Sequence, residues 1–303
     1  MPVLRVTQGL MVMRTLNNLN AQTRRLLELQ QQLSTGQKVN TPSDDPLAAR
    51  RAVNLRTAIT KSEQYLDNIT AADPQLIETV TALQTVVSSI QRVQELTIQG
   101  ANGTYSQEQL DNIAAEIDAL LEGALSQGNH QTNGKYIFGG TRTLAEPFEA
   151  TRDGQGRITA VTYQGNDENV RIAVADNALV TVNETGGRAF QSTQDLFQVF
   201  IDIRDNLEAG DQESLQDRLA ELDELQDQVL MAEARVGATQ NRLERLTTNI
   251  EDQIQQLRET LSDNIDADYA ETVINLDAQT NAFQAALNAA ARVIQPSLLN
   301  FLG

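Results

Sequence analysis

From Leu222 to Ile250 the residues Leu222, Leu225, Val229, Ala232, Val236, Thr239, Leu243, Leu246 and Ile250 recur in alternating steps of three and four. That spacing turns one narrow face of a helix towards a partner helix. The stripe continues through Ile254, Leu257, Leu261 and Ile265, with two extra four-residue steps that read as stutters. No proline interrupts Asp211 to Gln295, and Gly237 is the only glycine in that span. At about 1.5 Å per residue, Gln212 to Ser262 alone makes a rod of roughly 75 Å. So thin a stripe cannot stabilise a lone helix, and the rest of the chain must supply its partner.

The N-terminal region offers one. Val12, Leu19, Leu26 and Leu33 recur every seven residues, with Leu16 between the first two, and predict a helix ending at Ser34-Thr35-Gly36. Pro42-Ser43-Asp44-Asp45-Pro46 then restarts the chain, with Asp45 as N-cap and Pro46 in the first turn. A second helix is expected along Leu55, Ile59, Ser62, Leu66, Ile69, Asp73, Leu76, Val80, Leu83, Val87 and Ile90, kinked or broken at Pro74. Ser106 with Gln109 reads as a capping box for a third helix, inward-facing at Ile113, Ile117, Leu120, Leu121 and Leu125 and ending at Gly128. Between Asn129 and Gln191 glycines are frequent and short β-branched runs appear, with Asp153-Gly154-Gln155-Gly156 as a hairpin turn. Ser192 or Thr193 is the expected cap of a further helix through Leu196, Phe197, Phe200, Ile203 and Leu207.

The expected fold is mainly α with a small β insertion. N- and C-terminal regions form a long antiparallel helical bundle or coiled coil, with a β-rich outer domain. Leu19, Leu26, Leu287 and Ile294 are placed on its facing seams. The β insertion is expected to contribute nothing to the helix pairing and to be removable.

Composition narrows the function. Aromatics are 4% and Trp is absent, which suits thin helical layers better than a thick core. The 303 residues carry a net charge of −18, against a nucleic-acid or anionic membrane partner. The charge is uneven: residues 1–61 hold nine Lys/Arg against three Asp/Glu, and the rest hold 14 against 38. No 18-residue apolar run suggests a membrane span, and Met1-Pro2-Val3-Leu4-Arg5 lacks the apolar stretch of a cleaved signal peptide. With no Cys and no HExxH, thiol nucleophiles and that zinc motif are excluded. His130, the single histidine, sits in a polar loop, Asp153–Gly156 and Asn166–Asn169 read as turns rather than calcium loops, and Gly139-Gly140 lacks a following Lys. Neither an enzyme nor a cofactor is expected.

Leu33-Ser34-Thr35-Gly36-Gln37-Lys38-Val39-Asn40, followed by Asp44-Asp45-Pro46, resembles the N-terminal signature of the bacterial flagellin superfamily. Ile265 to Glu271 and the closing Ser297 to Leu302 resemble its C-terminal signature. Gly134-Lys135-Tyr136-Ile137-Phe138-Gly139-Gly140-Thr141, with Pro147-Phe148 after it, is similar to members that join hook to filament. The resemblance implies a terminal coiled coil (1–42 and 264–303), a middle helical bundle (43–140 and 191–263) and an outer β domain (141–190). It implies a structural subunit of the bacterial flagellum, polymerising with itself between hook-associated protein 1 and the flagellin filament. Export through the flagellar type III channel, helped by a chaperone, would place it outside the cell. The subunit-interface residues it suggests are Val12, Leu16, Leu19, Leu26, Leu33, Asp44, Asp45, Asp266, Asp268, Phe283, Leu287, Ile294, Leu298 and Leu299, with Arg50, Arg51 or Arg56 as partners for the last two aspartates. The alternatives are a short filament flagellin and, in another class, a binding protein or adhesin on a helical stalk. The apolar termini favour an assembling subunit over a stalk with an apolar tip.

Overall fold

The computed structural model describes residues 8–299. In chain order it contains α1 (Gln8–Thr35), α2 (Pro46–Ala101), α3 (Gln107–Gly128), β1 (Gln131–Thr132), β2 (Lys135–Tyr136), β3 (Phe148–Arg152) and β4 (Ile158–Tyr163). Then follow β5 (Arg171–Ala175), β6 (Ala178–Thr181), α4 (Gly186–Phe190), α5 (Leu196–Ala209), α6 (Gln212–Ile265) and α7 (Tyr269–Leu299). The chain is thus mainly α, and its strands form three antiparallel hairpins, β1–β2, β3–β4 and β5–β6. It divides into two compact units, Met1–Lys61 with Gln253–Gly303, and Ser62–Asp252.

In the first unit both helical runs are interrupted and stitched together. Gly36 closes α1 with φ +71°, a left-handed conformation that costs glycine little. Asp45 Oδ1 accepts from the amides of Leu47 and Ala48 at 2.9 Å, the expected N-cap of α2. Gln37 and Asp266 form an isolated antiparallel bridge between the breaks. Lys38 N donates to Ile265 O at 2.7 Å and Ala267 N to Gly36 O at 2.8 Å. The Lys38 ammonium adds a bond to Asp263 O at 2.8 Å. Backbone groups freed by two helix ends thereby satisfy each other.

In the second unit α2 and α6 carry the apolar seams. Leu222, Leu225, Val229, Ala232 and Val236 of α6 are buried as their spacing predicts, and Leu215 one heptad earlier is buried with them. Side chains of Gln84 and Gln94 reach Glu233 and Asp223 at 2.8 Å, tying the two helices along their flanks. The α2 seam differs from expectation. Its buried row runs Ser62, Ile69, Ala72, Leu76, Thr79, Leu83, Val86, Ile90, Val93 and Thr97, while Asp73 is exposed and Val80 half-buried. Small or polar residues hold several of these positions, and Thr79 and Thr97 return their hydroxyls to the carbonyls of Gln75 and Val93 at 2.7 Å. The expected Ile59, Ser62, Ile69, Leu76, Leu83, Val87 and Ile90 are buried, and the stripe is wider than read because these small or polar positions join it. Pro74 does not break α2 either. It lies on the exposed side, where water can take the carbonyl that loses its partner.

The expected capping box of α3 forms, Ser106 N donating to Gln109 Oε1 at 2.9 Å. The cap of α5 is Asp195, not Ser192 or Thr193: its Oδ1 accepts from Phe197 N at 3.0 Å and Gln198 N at 3.2 Å. Burial of Leu196 and Phe197 fixes where α5 begins, and the amides of Thr193 and Gln194 are taken instead by Gln228 Oε1.

The hairpins do not stand apart from the helices. Phe148 of β3 packs on Phe197 of α5 with ring centroids 4.9 Å apart, and touches Tyr163 and Phe190 at 5.1 and 5.8 Å. Phe138 closes the cluster against Phe190 at 4.9 Å. A Cβ on Gly128, at the end of α3, would lie 2.9 Å from Phe148, so the helix must end in glycine for the strand to approach. Arg204 of α5, 3% exposed, donates to Ile158 O of β4 at 2.8 Å and to Asp118 of α3 at 2.7 Å. Asn68 of α2 reaches Ala173 O of β5 at 2.9 Å. The expectation that the β insertion leaves helix packing untouched is therefore corrected: its aromatic residues complete the core between α3 and α5.

Candidate assembly surface

In the first unit α1 and α7 pack together. Val12, Thr15, Leu19, Gln22, Leu26, Leu29 and Leu33 of α1 are half-buried, a row of alternating three- and four-residue steps. The matching row on α7 is Thr272, Leu276, Gln279, Phe283, Ala286 and Ala290. Val12, Leu19, Leu26, Leu33 and Phe283 therefore lie on the seam between α1 and α7 within one chain. Leu287 does not: it is 45% exposed, one position past Ala286, so its placement on the facing seam is corrected. Leu16 is likewise off the seam and 49% exposed. Ile294, Leu298 and Leu299 continue α7, but their side chains lie outside the described residues.

Both helices keep a second apolar surface in water. Leu10, Met11, Met13, Leu16 and Leu27 on α1 and Tyr269, Ile274 and Leu287 on α7 are exposed. One exposed Leu needs no explanation, but eight large apolar side chains in water on two paired helices are surface that a partner could cover. A two-helix pair covers only one stripe of each member, so the remaining stripe stays bare in a single chain. Met13, Tyr269 and Ile274 were legible only as apolar residues off the heptad, which periodicity reading discards.

The four aspartates have local duties. Asp44 Oδ2 accepts from Asn40 N at 3.0 Å and Thr41 N at 2.7 Å, and Oδ1 from Thr41 Oγ1 at 2.8 Å. These bonds, first that from the Thr41 amide, hold its carboxyl below the usual 3.8. A lowered pKa means the stabilisation is present above the unfolded value and is lost as pH falls through the folded one. The amide resonances of Asn40 and Thr41 are thus expected to titrate with a midpoint below 3.8, and Asp44→Asn to abolish that step. A midpoint at or above 4 would contradict the geometry. Asp45 caps α2, as above. Asp266 accepts from Ser262 Oγ at 2.5 Å, and Asp268 Oδ1 from Glu271 N at 3.1 Å, starting α7. Within one chain, neither forms an ion pair with Arg50, Arg51 or Arg56 among the described residues.

His130 contacts Glu78 at 3.1 Å and links the β1 approach to α2. Among the described residues no group of three or more His, Cys, Asp or Glu could hold a metal, and no helix is long and apolar enough to cross a membrane.

Residues 6–143 match the bacterial flagellin N-terminal helical region, and residues 219–302 match the flagellin C-terminal helical region. The chain belongs to the flagellin superfamily, in its hook-associated protein 3 branch. The flagellar hook-associated protein 3 of Escherichia coli is 28% identical over 284 residues, 86% of this chain and 87% of that one. That of Salmonella typhimurium is 28% identical over 190 residues, 62% of this chain, and the match spans 57% of that relative's length. The crystal structure of Bacillus cereus FlgL aligns with TM-score 0.58 and 26% identity, covering 69% of this chain and 99% of that one. A flagellin of Salmonella muenchen is 34% identical over only 136 residues, 44% of this chain and 25% of that one. As a hook-associated protein 3 relative, the chain is a structural protein of the flagellar junction. Its exposed terminal helices fall within the two matched family regions.

Proposed function

We propose that the chain forms a ring or helical layer of its own copies between hook-associated protein 1 and the flagellin filament, and that its role is assembly rather than catalysis. The observation that carries this reading is the bare apolar stripe on α1 and α7, a surface that neighbouring subunits would cover. The stretches 1–42 and 264–303 serve as the assembling ends, 43–140 and 191–263 as the helical body, and 141–190 as the β-rich outer part. Asp44, Asp45, Asp266 and Asp268 shape the joint beside those ends instead of binding a neighbour directly. Export through the flagellar channel with a dedicated chaperone, ending outside the cell, completes the proposal.

A deletion strain tests it. Loss of a junction subunit leaves hooks intact and flagellin secreted into the medium unassembled, whereas loss of a short filament flagellin removes filament protein itself. Within a complemented strain, Leu16→Asp or Leu287→Asp is expected to block junction formation. The isolated protein should lose no more than about 1 kcal/mol against its parent, because about half of each side chain is already exposed and Asp is a weaker helix former than Leu. Normal filaments from both variants would remove these residues from the interface.

A further inference from the structure

Sulfur is the side-chain atom that peroxide oxidises most readily, and this chain carries it only as thioether. Cys is absent, and of the four methionines Met11, Met13 and Met231 fall among the described residues. Methionine is among the residue types most often fully buried. Here all three stand in water, at 50%, 61% and 62% exposure. Met11 and Met13 belong to α1 and to its bare apolar surface, flanked in sequence by Leu10 and Leu16, both exposed as well. Met231 lies on α6, in the second unit. An unbranched thioether adapts its shape to a partner, which suits a contact surface, but leucine would do so without exposing a reactive atom.

We propose that Met11 and Met13 are an oxidation site on the assembly surface, at which hydrogen peroxide turns the free subunit into a form that does not assemble. This rests on the reading of the bare α1 and α7 surface as a contact between subunits. A sulfur lone pair attacks one peroxide oxygen, and the S–O bond forms as the O–O bond breaks. The other oxygen leaves as hydroxide and takes up the proton to become water. The sulfur gives up two electrons, and peroxide is reduced. The sulfoxide that results is polar and accepts hydrogen bonds. On a single chain water supplies the donors, so the free fold is unaffected. Between subunits the same oxygen is buried against apolar side chains without a donor, which weakens the contact. Once covered by a neighbour, both sulfurs are shielded, so the sensitivity belongs to the unassembled chain.

The test treats the purified chain with hydrogen peroxide and locates the added oxygen by peptide mass spectrometry. Treated or untreated protein is then added to cells of the deletion strain, and filaments attached to hooks are counted by electron microscopy. The readout is the ratio of treated to untreated, so any effect of a substitution by itself cancels. Met11 and Met13 are expected to take up oxygen while circular dichroism and melting stay those of the parent. The parent's ratio should fall about tenfold or more, the factor one buried polar group without a partner costs a contact. Met231→Leu should fall as far, whereas Met11→Leu combined with Met13→Leu should hold its ratio near one. Methionine sulfoxide reductases of both stereospecificities should restore assembly to treated Met231→Leu protein. Normal assembly of the oxidised parent, an equal fall in the Met11→Leu, Met13→Leu protein, or no recovery with the reductases would each overturn the site and leave the junction reading standing. Failure of the untreated parent to complete a junction would instead overturn that reading, and the site with it.

Discussion

Phe148→Ala is expected to destabilise the protein by about 3–5 kcal/mol, the usual range for removing a fully buried Phe. The ring is 1% exposed and in contact with Tyr163, Phe190 and Phe197, while its amide and carbonyl are both bonded to the Asn129 side chain. The backbone is therefore held in place, and the strand cannot collapse into the space the ring leaves. Urea unfolding followed by far-UV circular dichroism measures the effect. Leu144→Ala, at a residue 82% exposed, is the control and should change stability by no more than about 0.5 kcal/mol. Joining Gly140 to Gln191 by a short linker removes Phe148, Ile158, Tyr163 and Phe190 together, and is expected to unfold the second unit rather than trim it. If the shortened protein melted like the parent, the aromatic cluster would not be the shared core described above.

Arg204→Met should cost about 3 kcal/mol, the lower end of what breaking a buried ion pair costs. The arginine itself is almost fully buried, but the Asp118 side chain keeps 25% of its surface in water, so the stranded charge is partly solvated. The loss has three parts: an unpaired carboxylate at Asp118, a more exposed one at Asp205, and an unsatisfied Ile158 carbonyl, previously bonded at 2.8 Å. Adding Asp118→Asn to Arg204→Met should return part of the lost stability, since the uncompensated charge goes. Equal melting of the single and double variants would mean that the carboxylate was never the cost. Both experiments address the same joint, where one residue of α5 binds a helix and a strand at once.

Long-period features were readable from the residues alone. The α6 seam through Leu222, Leu225, Val229, Ala232 and Val236 is buried as spaced, because a helix exposes a residue's direction through its number. The same holds for the caps at Asp45 and Ser106 and for Gly36, where local backbone chemistry acts within four residues. The hairpin turn at Asp153 formed for the same reason, its carboxylate accepting from the amides of Gln155 and Arg157. The family signatures, too, are local strings of residues.

What only tertiary structure decided depends on partners distant in sequence. Ala72 and Thr79 are buried on the α2 seam although their side chains are small or polar, which only the packing of neighbouring elements shows. Asp195 caps α5 because burial of Leu196 and Phe197 sets the helix start. Leu287 and Ala286 are adjacent in the chain, and only the packing of α7 on α1 selects the smaller one for the seam. The β strands looked self-contained because their turns are local, yet their inward rings find their mates on α5. Burial is a property of pairs of surfaces, and the chain states only one surface of each pair.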